Sequence, residues 1–158
     1  MRVLSIDPGY DRLGVAVIEK REGKEHLLFS DCITTDKTMD ISDRITALGD
    51  AVADILKKHK PDALAVETLF FNQNKTTALA VAQVRGIVMY LAHKASCTVY
   101  EYNPQEIKVA MTGYGKSDKK AVTDMVKKLV VNAPQKAFDD EYDAIAVGVT
   151  CLAHVRGS

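Results

Sequence analysis

The stretch VLSIDPGYDRLGVAVI, residues 3–18, decides the fold of this 158-residue chain. It contains two apolar runs, residues 3–6 and 13–18, on either side of a polar segment that includes Pro8-Gly9. Proline followed by glycine is typical of a tight turn. A third apolar segment, residues 26–34, comes next. Three such runs with short connections predict an antiparallel meander of three strands.

The rest of the chain alternates between helical and strand patterns. Apolar residues at helical spacing predict a helix that ends near Lys60-Pro61, and a buried apolar run predicts a strand over residues 62–67. Further along we expect a long helix (76–95), a strand (97–102) and a short helix (104–111). A basic helix follows, with Ser117 as its cap and Leu129 facing inward, and a last helix covers residues 139–155. This order predicts one α/β domain over residues 1–158, with a mixed five-stranded sheet flanked by helices.

Composition excludes several classes of protein. The chain is 47% apolar and 27% charged, which is ordinary for a globular protein, and it has no apolar run near the roughly 20 residues of a membrane span. Its first residues enter a strand directly, so we expect no signal peptide. Cys32, Cys97 and Cys151 are scattered, which favours reduced thiols over a disulfide framework or a zinc site. We therefore expect a cytoplasmic protein.

The charged residues are unevenly distributed, although 21 basic and 21 acidic side chains cancel overall. Residues 68–130 carry 9 basic and 4 acidic side chains, whereas residues 1–67 carry 10 and 13, and residues 131–158 carry 2 and 4. One explanation of this asymmetry is a polyanion that binds to the basic middle segment and is cleaved by acidic residues from the two ends. A solvated helix face explains it equally well.

Two predicted strands end in a carboxylate. Asp7 closes the first strand before Pro8, which keeps the backbone at Asp7 extended, and Glu67 ends the apolar run 63–66. An Asx turn explains Asp7 alone, and a strand-end acid that turns to solvent explains Glu67 alone. Ligand sites gather at the carboxyl ends of strands in open α/β sheets, which favours a functional role for Glu67.

Asp140 and Asp143 lie three residues apart in the first turn of the predicted last helix, so both carboxylates share one face. The helix macrodipole also favours acids at this end, and it accounts well for Asp139 and Glu141. The apolar run at 144–147 favours instead a helix whose first turn faces a site.

Converging carboxylates repel one another, so a cluster needs a cation or raised pKa values. Without Cys or His at metal-ligand spacing, all-oxygen ligation favours Mg²⁺, with Mn²⁺ able to substitute. Two such ions about 4 Å apart activate a water and stabilise the leaving oxygen of a phosphodiester. If they converge, the four acids are candidate ligands of two ions in a nuclease.

A series of motifs spans nearly the whole chain. They are Ile6-Asp7-Pro8-Gly9 with Gly14, Glu67-Thr68-Leu69-Phe70-Phe71, Gln83-Val84-Arg85-Gly86, Tyr102-Asn103-Pro104 with Lys108, Gly113-Tyr114-Gly115 with Lys119, and the acids at 140–143 with Ala144. In this order they resemble the RuvC family of Holliday-junction resolvases, the crossover junction endodeoxyribonucleases. The resemblance implies a ribonuclease H-like fold.

The resemblance also assigns roles to residues. It makes Asp7, Glu67, Asp140 and Asp143 the catalytic, metal-binding acids, although Asp139 leaves the register of the first ligand in the last helix open. Lys108 and Lys119 stand at positions where the family has DNA-contacting lysines. Phe70 stands where the family has an aromatic residue against the unstacked bases of the junction. Lys116 and Arg85 are further candidate DNA contacts, because each lies in or beside a matching motif.

The partners implied are four-way-junction DNA, a second copy of the chain, and a branch-migration helicase complex (RuvA and RuvB). Two symmetric nicks require two sites, and one chain has one cluster of acids, so we expect a C₂ homodimer. The predicted helix 76–95 is apolar around much of its circumference and is the candidate dimer surface. Complete burial of that helix within one domain explains the same pattern.

Other functions remain open on the sequence alone. A nuclease of the same fold that matures ribosomal RNA precursors shares the Asp-x-Gly turn and a pattern close to Arg12-Leu13-Gly14-Val15-Ala16. The actin-like kinases share the turn but need a second lobe, for which 158 residues leave no room. A catalytically silent nucleic-acid-binding module is a third possibility, and the four retained acids argue against it.

Overall fold

The computed structural model describes residues 1–68 and 75–155, and its strands form one mixed sheet. The strands are β1 (Arg2–Asp7), β2 (Arg12–Arg21), β3 (Lys24–Thr34), β4 (Ala63–Glu67), β5 (Thr98–Tyr102) and β6 (Val130–Val131). They lie in the order β5-β4-β1-β2-β3-β6. β2 is antiparallel to β1 and β3, whereas the pairs β1/β4, β4/β5 and β3/β6 are parallel. The predicted meander and α/β class are confirmed.

The helices are α1 (Ile41–His59), α2 (Lys75–Lys94), α3 (Pro104–Thr112), α4 (Lys119–Leu129) and α5 (Asp139–His154). α3 begins at a capping box, in which Asn103 accepts a hydrogen bond from the backbone N–H of Glu106 and the Glu106 side chain accepts one from Asn103. Within the parts of the chain that the structure describes, no helix is long and apolar enough to cross a membrane.

Three local predictions are wrong. The sheet has six strands rather than five, because Val130 and Val131 pair with β3 at Glu25 and His26. Two residues are too few to give a strand pattern in sequence. Asp118, not Ser117, caps α4 by accepting a hydrogen bond from the Ala121 N–H at 2.7 Å. Leu129, predicted to face inward, is 42% exposed at the end of that helix.

The sheet separates two apolar cores. Even-numbered residues of β1, such as Leu4 and Ile6, face the core that contains residues of α1 and α2. Val3 faces the opposite core, which contains residues of α3, α4 and α5. Helix α5 lies close to the sheet at Gly148, where an added Cβ would come within 2.7 Å of both Ser5 Oγ and Ile18 Cγ2. The alternation along β1 therefore points its odd-numbered residues toward α5.

The same alternation sets the position of the two strand-end acids. Asp7 follows Ser5 on the α5 side of β1, and Glu67 follows Ala63 and Ala65 on the α5 side of β4. Because β1 and β4 are parallel neighbours with Ile6 opposite Val66, both acids come to the same edge of the sheet. The fold thus brings together two carboxylates that are 60 residues apart.

A glycine in β2 allows the third element to reach this edge. Gly14 pairs with Asp7, and a Cβ built on it would lie 1.9 Å from the backbone oxygen of Asp140. Any larger residue would push the first turn of α5 away from the sheet. Gly14 therefore permits the approach of the α5 acids to Asp7.

Candidate active site

Three of the four predicted acids line one cleft of about 340 Å³. Asp7 comes from the end of β1, Glu67 from the end of β4, and Asp143 from the first turns of α5. Lys108 of α3 and Lys119 of α4 line the same cleft. Five charged residues from five elements thus converge on one site.

Asp7 is the carboxylate least favourable to ionise. Burial, and then the charges of Glu67, Asp143 and Asp140, raise the pKa of Asp7 from 3.8 to about 8, against a smaller opposing effect of Lys119. Burial followed by Asp143 raises the pKa of Glu67 from 4.5 to about 7. Around neutral pH, without a compensating cation, Asp7 is therefore mostly protonated and Glu67 is protonated about half of the time.

Lys119 forms an ion pair within the cleft. Its Nζ donates to Asp143 Oδ2 at 2.8 Å, and the Lys119 side chain is 71% exposed. This hydrogen bond is the largest contribution that raises the pKa of Lys119 above its usual value. The sequence predicted Lys119 as a DNA contact, and it did not indicate the bond to an acid of the site.

An apolar wall completes the cleft and was not predicted as part of the site. It consists of Pro104, Ile107 and Val122. Ile107 and Val122 are buried, so a periodicity argument assigns them to the core. The motif Tyr102-Asn103-Pro104 and the nearby Lys108 and Lys119 are the sequence signals that this edge of the core borders a charged site.

Asp140 lies beside the acid cleft rather than among its lining residues. Its Oδ2 is 3.8 Å from Arg12 Nη1, and it lines a neighbouring groove of about 490 Å³. Its charge still raises the pKa of Asp7. Asp139, the alternative candidate for the first ligand in the last helix, instead raises the pKa of Lys119. The charge of Asp140 therefore affects Asp7, whereas the charge of Asp139 affects Lys119.

The other predicted DNA contacts are spread over the molecule. Lys116 is exposed in the loop between α3 and α4, close in sequence to Lys119. Arg85 lies in α2, where its guanidinium donates a hydrogen bond to Glu101 of β5, and it does not line the acid cleft. Phe70 lies outside the described residues.

The acid cleft fits a hard divalent cation by its donor chemistry. Its potential ligands are carboxylate oxygens, and burial together with the neighbouring acids raises the pKa values of Asp7 and Glu67. As the side chains stand, no group of three or more His, Cys, Asp or Glu among residues 1–68 and 75–155 is arranged to hold a metal ion. A metal ion at this site would therefore need the carboxylate side chains to move.

Comparison with known proteins identifies the family. The family model described as "Crossover junction endodeoxyribonuclease RuvC" matches residues 3–151. The RuvC of Thermosipho melanesiensis is 39% identical over 153 residues, which are 97% of each chain. The structure of Thermus thermophilus RuvC superposes with a TM-score of 0.88 at 30% identity, covering 99% of this chain and 96% of that one.

A second solved structure is T. thermophilus RuvC in complex with a Holliday junction substrate. It superposes with a TM-score of 0.93 at 29% identity and covers 99% of this chain and 96% of that one. These matches extend over the motifs from Asp7 to Asp143, so they confirm the resemblance and the ribonuclease H-like fold, and they favour RuvC over the ribosomal-RNA nuclease. The chain belongs to the RuvC family of crossover junction endodeoxyribonucleases.

Proposed function

We propose that this protein resolves Holliday junctions in DNA recombination and repair in the cytoplasm, by paired symmetric nicks in strands of like polarity. The observation that carries the proposal is the convergence of Asp7, Glu67 and Asp143 on one cleft that Lys108 and Lys119 also line. Acids alone bind cations, and lysines alone bind phosphates. Both together suit the hydrolysis of a phosphodiester.

The proposed cofactor is Mg²⁺, two ions per site, with Mn²⁺ able to substitute. When bound, these ions supply a water activated for attack and stabilise the leaving oxygen. Asp7, Glu67, Asp143 and Asp140 are the proposed ligands, and Asp140 is the fourth because its charge already acts on Asp7. Asp7 and Glu67 release their protons as the cation binds, so metal affinity rises with pH.

The lysines position the DNA. Lys108 and Lys119 project into the cleft, and Lys116 is exposed on the loop before α4. An ammonium group beside the acids holds the backbone phosphate at the point where the cut occurs. Arg85 contributes to this interface only where it exchanges its bond to Glu101 for a phosphate.

The proposed active unit is a homodimer that binds one four-way junction and acts with a branch-migration helicase complex of the RuvA and RuvB type. A C₂ pair supplies two sites at a fixed separation for two symmetric nicks. Helix α2 supports this assembly, because Leu79 and Tyr90 on it are 68% and 60% exposed. Complete burial of the helix, the other explanation of its apolar pattern, does not account for these side chains.

The test is a nicking assay on a synthetic four-way junction and on a linear duplex of the same sequence, with and without Mg²⁺. We expect paired nicks in the junction only, and only with the cation. Cleavage of structured RNA in preference to the junction would support the ribosomal-RNA nuclease. Binding without cleavage in either Mg²⁺ or Mn²⁺ would support the silent module.

Sedimentation of the protein on the junction tests the stoichiometry. Two chains per junction are expected, and replacement of both Leu79 and Tyr90 by Ser should lower this number without unfolding the chain. A single chain per junction that still makes paired nicks would contradict the dimer.

A further inference from the structure

Phe138 occupies an unusual place at the edge of the acid site. It is the residue that precedes the first turn of α5, and 54% of its surface is exposed. Ser, Thr, Asp and Asn are preferred at such a position because their side chains cap the helix. Phe138 makes no such cap and is less than half buried, so neither helix capping nor core packing accounts for it.

The ring of Phe138 contacts the side chain of Arg12, which also lies close to Asp140. The guanidinium carbon of Arg12 lies 5.1 Å from the centroid of the Phe138 ring, within the range of a cation–π contact. Nη1 of the same arginine is 3.8 Å from Asp140 Oδ2. Arg12 thus ties an exposed aromatic face to the acid that is electrostatically coupled to Asp7.

The charged residues around the acids follow an order across the sheet. Three of the acids lie in the cleft with Lys108 and Lys119, whereas Asp140 lines the neighbouring groove with Arg12. In the sheet order β5-β4-β1-β2-β3-β6, Glu67 ends β4 and Asp7 ends β1, and Arg12 begins β2 on the far side of Asp7 from Glu67. A DNA strand whose phosphate sits at the acids extends to both sides. On the first side it meets lysines, and on the second it meets Arg12 beside Phe138.

We propose that Phe138, braced by Arg12, is a stacking platform for an unpaired base of the junction strand, on the Arg12 side of the phosphate that is cut. This inference rests on the proposed function, because it needs a strand that crosses the acids. An aromatic ring beside a cation accepts a base by stacking, and it does so without reading the sequence. Bases next to the crossover of a junction are the ones free to take this position.

The test uses Phe138→Ala, Phe138→Tyr and, as the matched control, Leu129→Ala. Leu129 is also exposed and apolar, but it lies at the opposite end of α4 from Lys119. Junction binding is measured in EDTA, so that no cleavage occurs. 2-Aminopurine placed at successive positions around the crossover reports stacking by quenching of its fluorescence.

We expect Phe138→Ala to weaken junction binding by roughly 5-fold or more, which is the lower end of the effect of losing one stacked base. The quenching at one position should disappear in Phe138→Ala and return in Phe138→Tyr. Leu129→Ala should bind as the parent does. Melting temperatures of all three variants should stay close to that of the parent, because Phe138 and Leu129 are 54% and 42% exposed.

Parental affinity and quenching in Phe138→Ala, with the parent still nicking junctions in Mg²⁺, would overturn this inference and leave the proposed function standing. A fall in melting temperature with equal losses on junction and linear duplex would assign Phe138 to packing. A parent that neither binds nor nicks junctions would overturn both proposals together.

Discussion

Two aspartates on either side of the Pro8-Gly9 turn have opposite environments. Asp7 is half-buried near three other acids, and its pKa rises to about 8. Asp11, four residues later, receives hydrogen bonds from Arg44 at 2.7 Å and pairs with Lys37 at 3.1 Å. The hydrogen bond from Arg44 is the first of the contacts that hold the pKa of Asp11 below its usual value.

The difference separates carboxylates that stabilise the fold from carboxylates that are available for chemistry. Arg44 also donates to Thr35 at 2.8 Å and packs its guanidinium 3.8 Å from the centroid of the Tyr10 ring, so the cluster around Asp11 ties the turn to α1 and to the end of β3. Among residues 1–68 and 75–155, Asp7 has no comparable set of donors, and it repels its neighbouring acids. Uncompensated charge of this kind is stable only with a proton or a cation.

The largest effect is expected from removing the uncompensated acid. Asp7→Asn should lower junction cleavage by at least about 100-fold, more than the roughly 10- to 100-fold that loss of an outer partner costs a metal site. Junction binding should remain, because it comes mainly from phosphate contacts. Single-turnover cleavage and a binding titration on the same junction measure the two effects. Cleavage within a few-fold of the parent would contradict the metal-site proposal.

Removing Arg44 from the cluster around Asp11 should lower the stability of the fold and leave DNA cleavage unchanged. Arg44→Met should lower the melting temperature by several degrees, because Thr35, Asp11 and the Tyr10 carbonyl all lose a donor. The matched control is Lys37→Ala, which removes the exposed partner of the same aspartate and should have little effect. Equal losses in the two variants would show that Asp11, and not Arg44, organises the turn.

The raised pKa of Asp7 predicts a pH dependence of stability in the metal-free protein. Above pH 4 the unfolded chain loses this proton and the folded chain keeps it, so the free energy of unfolding falls as the pH rises toward about 8. The slope approaches about 1.4 kcal/mol per pH unit for one proton. Asp7→Asn should make the slope shallower and leave the part that comes from the raised pKa of Glu67, and Mg²⁺ should reverse it. Denaturant titrations in EDTA from pH 5 to pH 8 provide the measurement.

The smallest effects are expected at the lysines of the cleft. Lys108→Ala and Lys119→Ala should each reduce the slope of log affinity against log salt by about 1, as for one lost phosphate contact. Lys128→Ala, on the same helix as Lys119 but at its other end, is the control. An unchanged slope for Lys119→Ala would mean that the lysine stays paired with Asp143 when DNA is bound.

Much of the site could be predicted because the information is local. A carboxylate directly after a buried strand, as at Asp7 and Glu67, comes to the strand's carboxyl end in any α/β sheet. The spacing of Asp140 and Asp143 puts both on one face of a helix, but it does not say how far each reaches. In the structure Asp143 lines the acid cleft, and Asp140 turns to Arg12.

The sequence by itself therefore determined the strand and helix pattern except for β6, the carboxylates at strand ends, and the family through the order of its motifs. Tertiary structure alone decided which charges meet. The bond between Lys119 and Asp143 spans 24 residues, and the close approach of Gly14 to Asp140 spans 126. Such pairings depend on distances of a few ångströms between separate elements. Periodicity along a chain carries no information about these distances, whereas packing of α5 on the sheet fixes them.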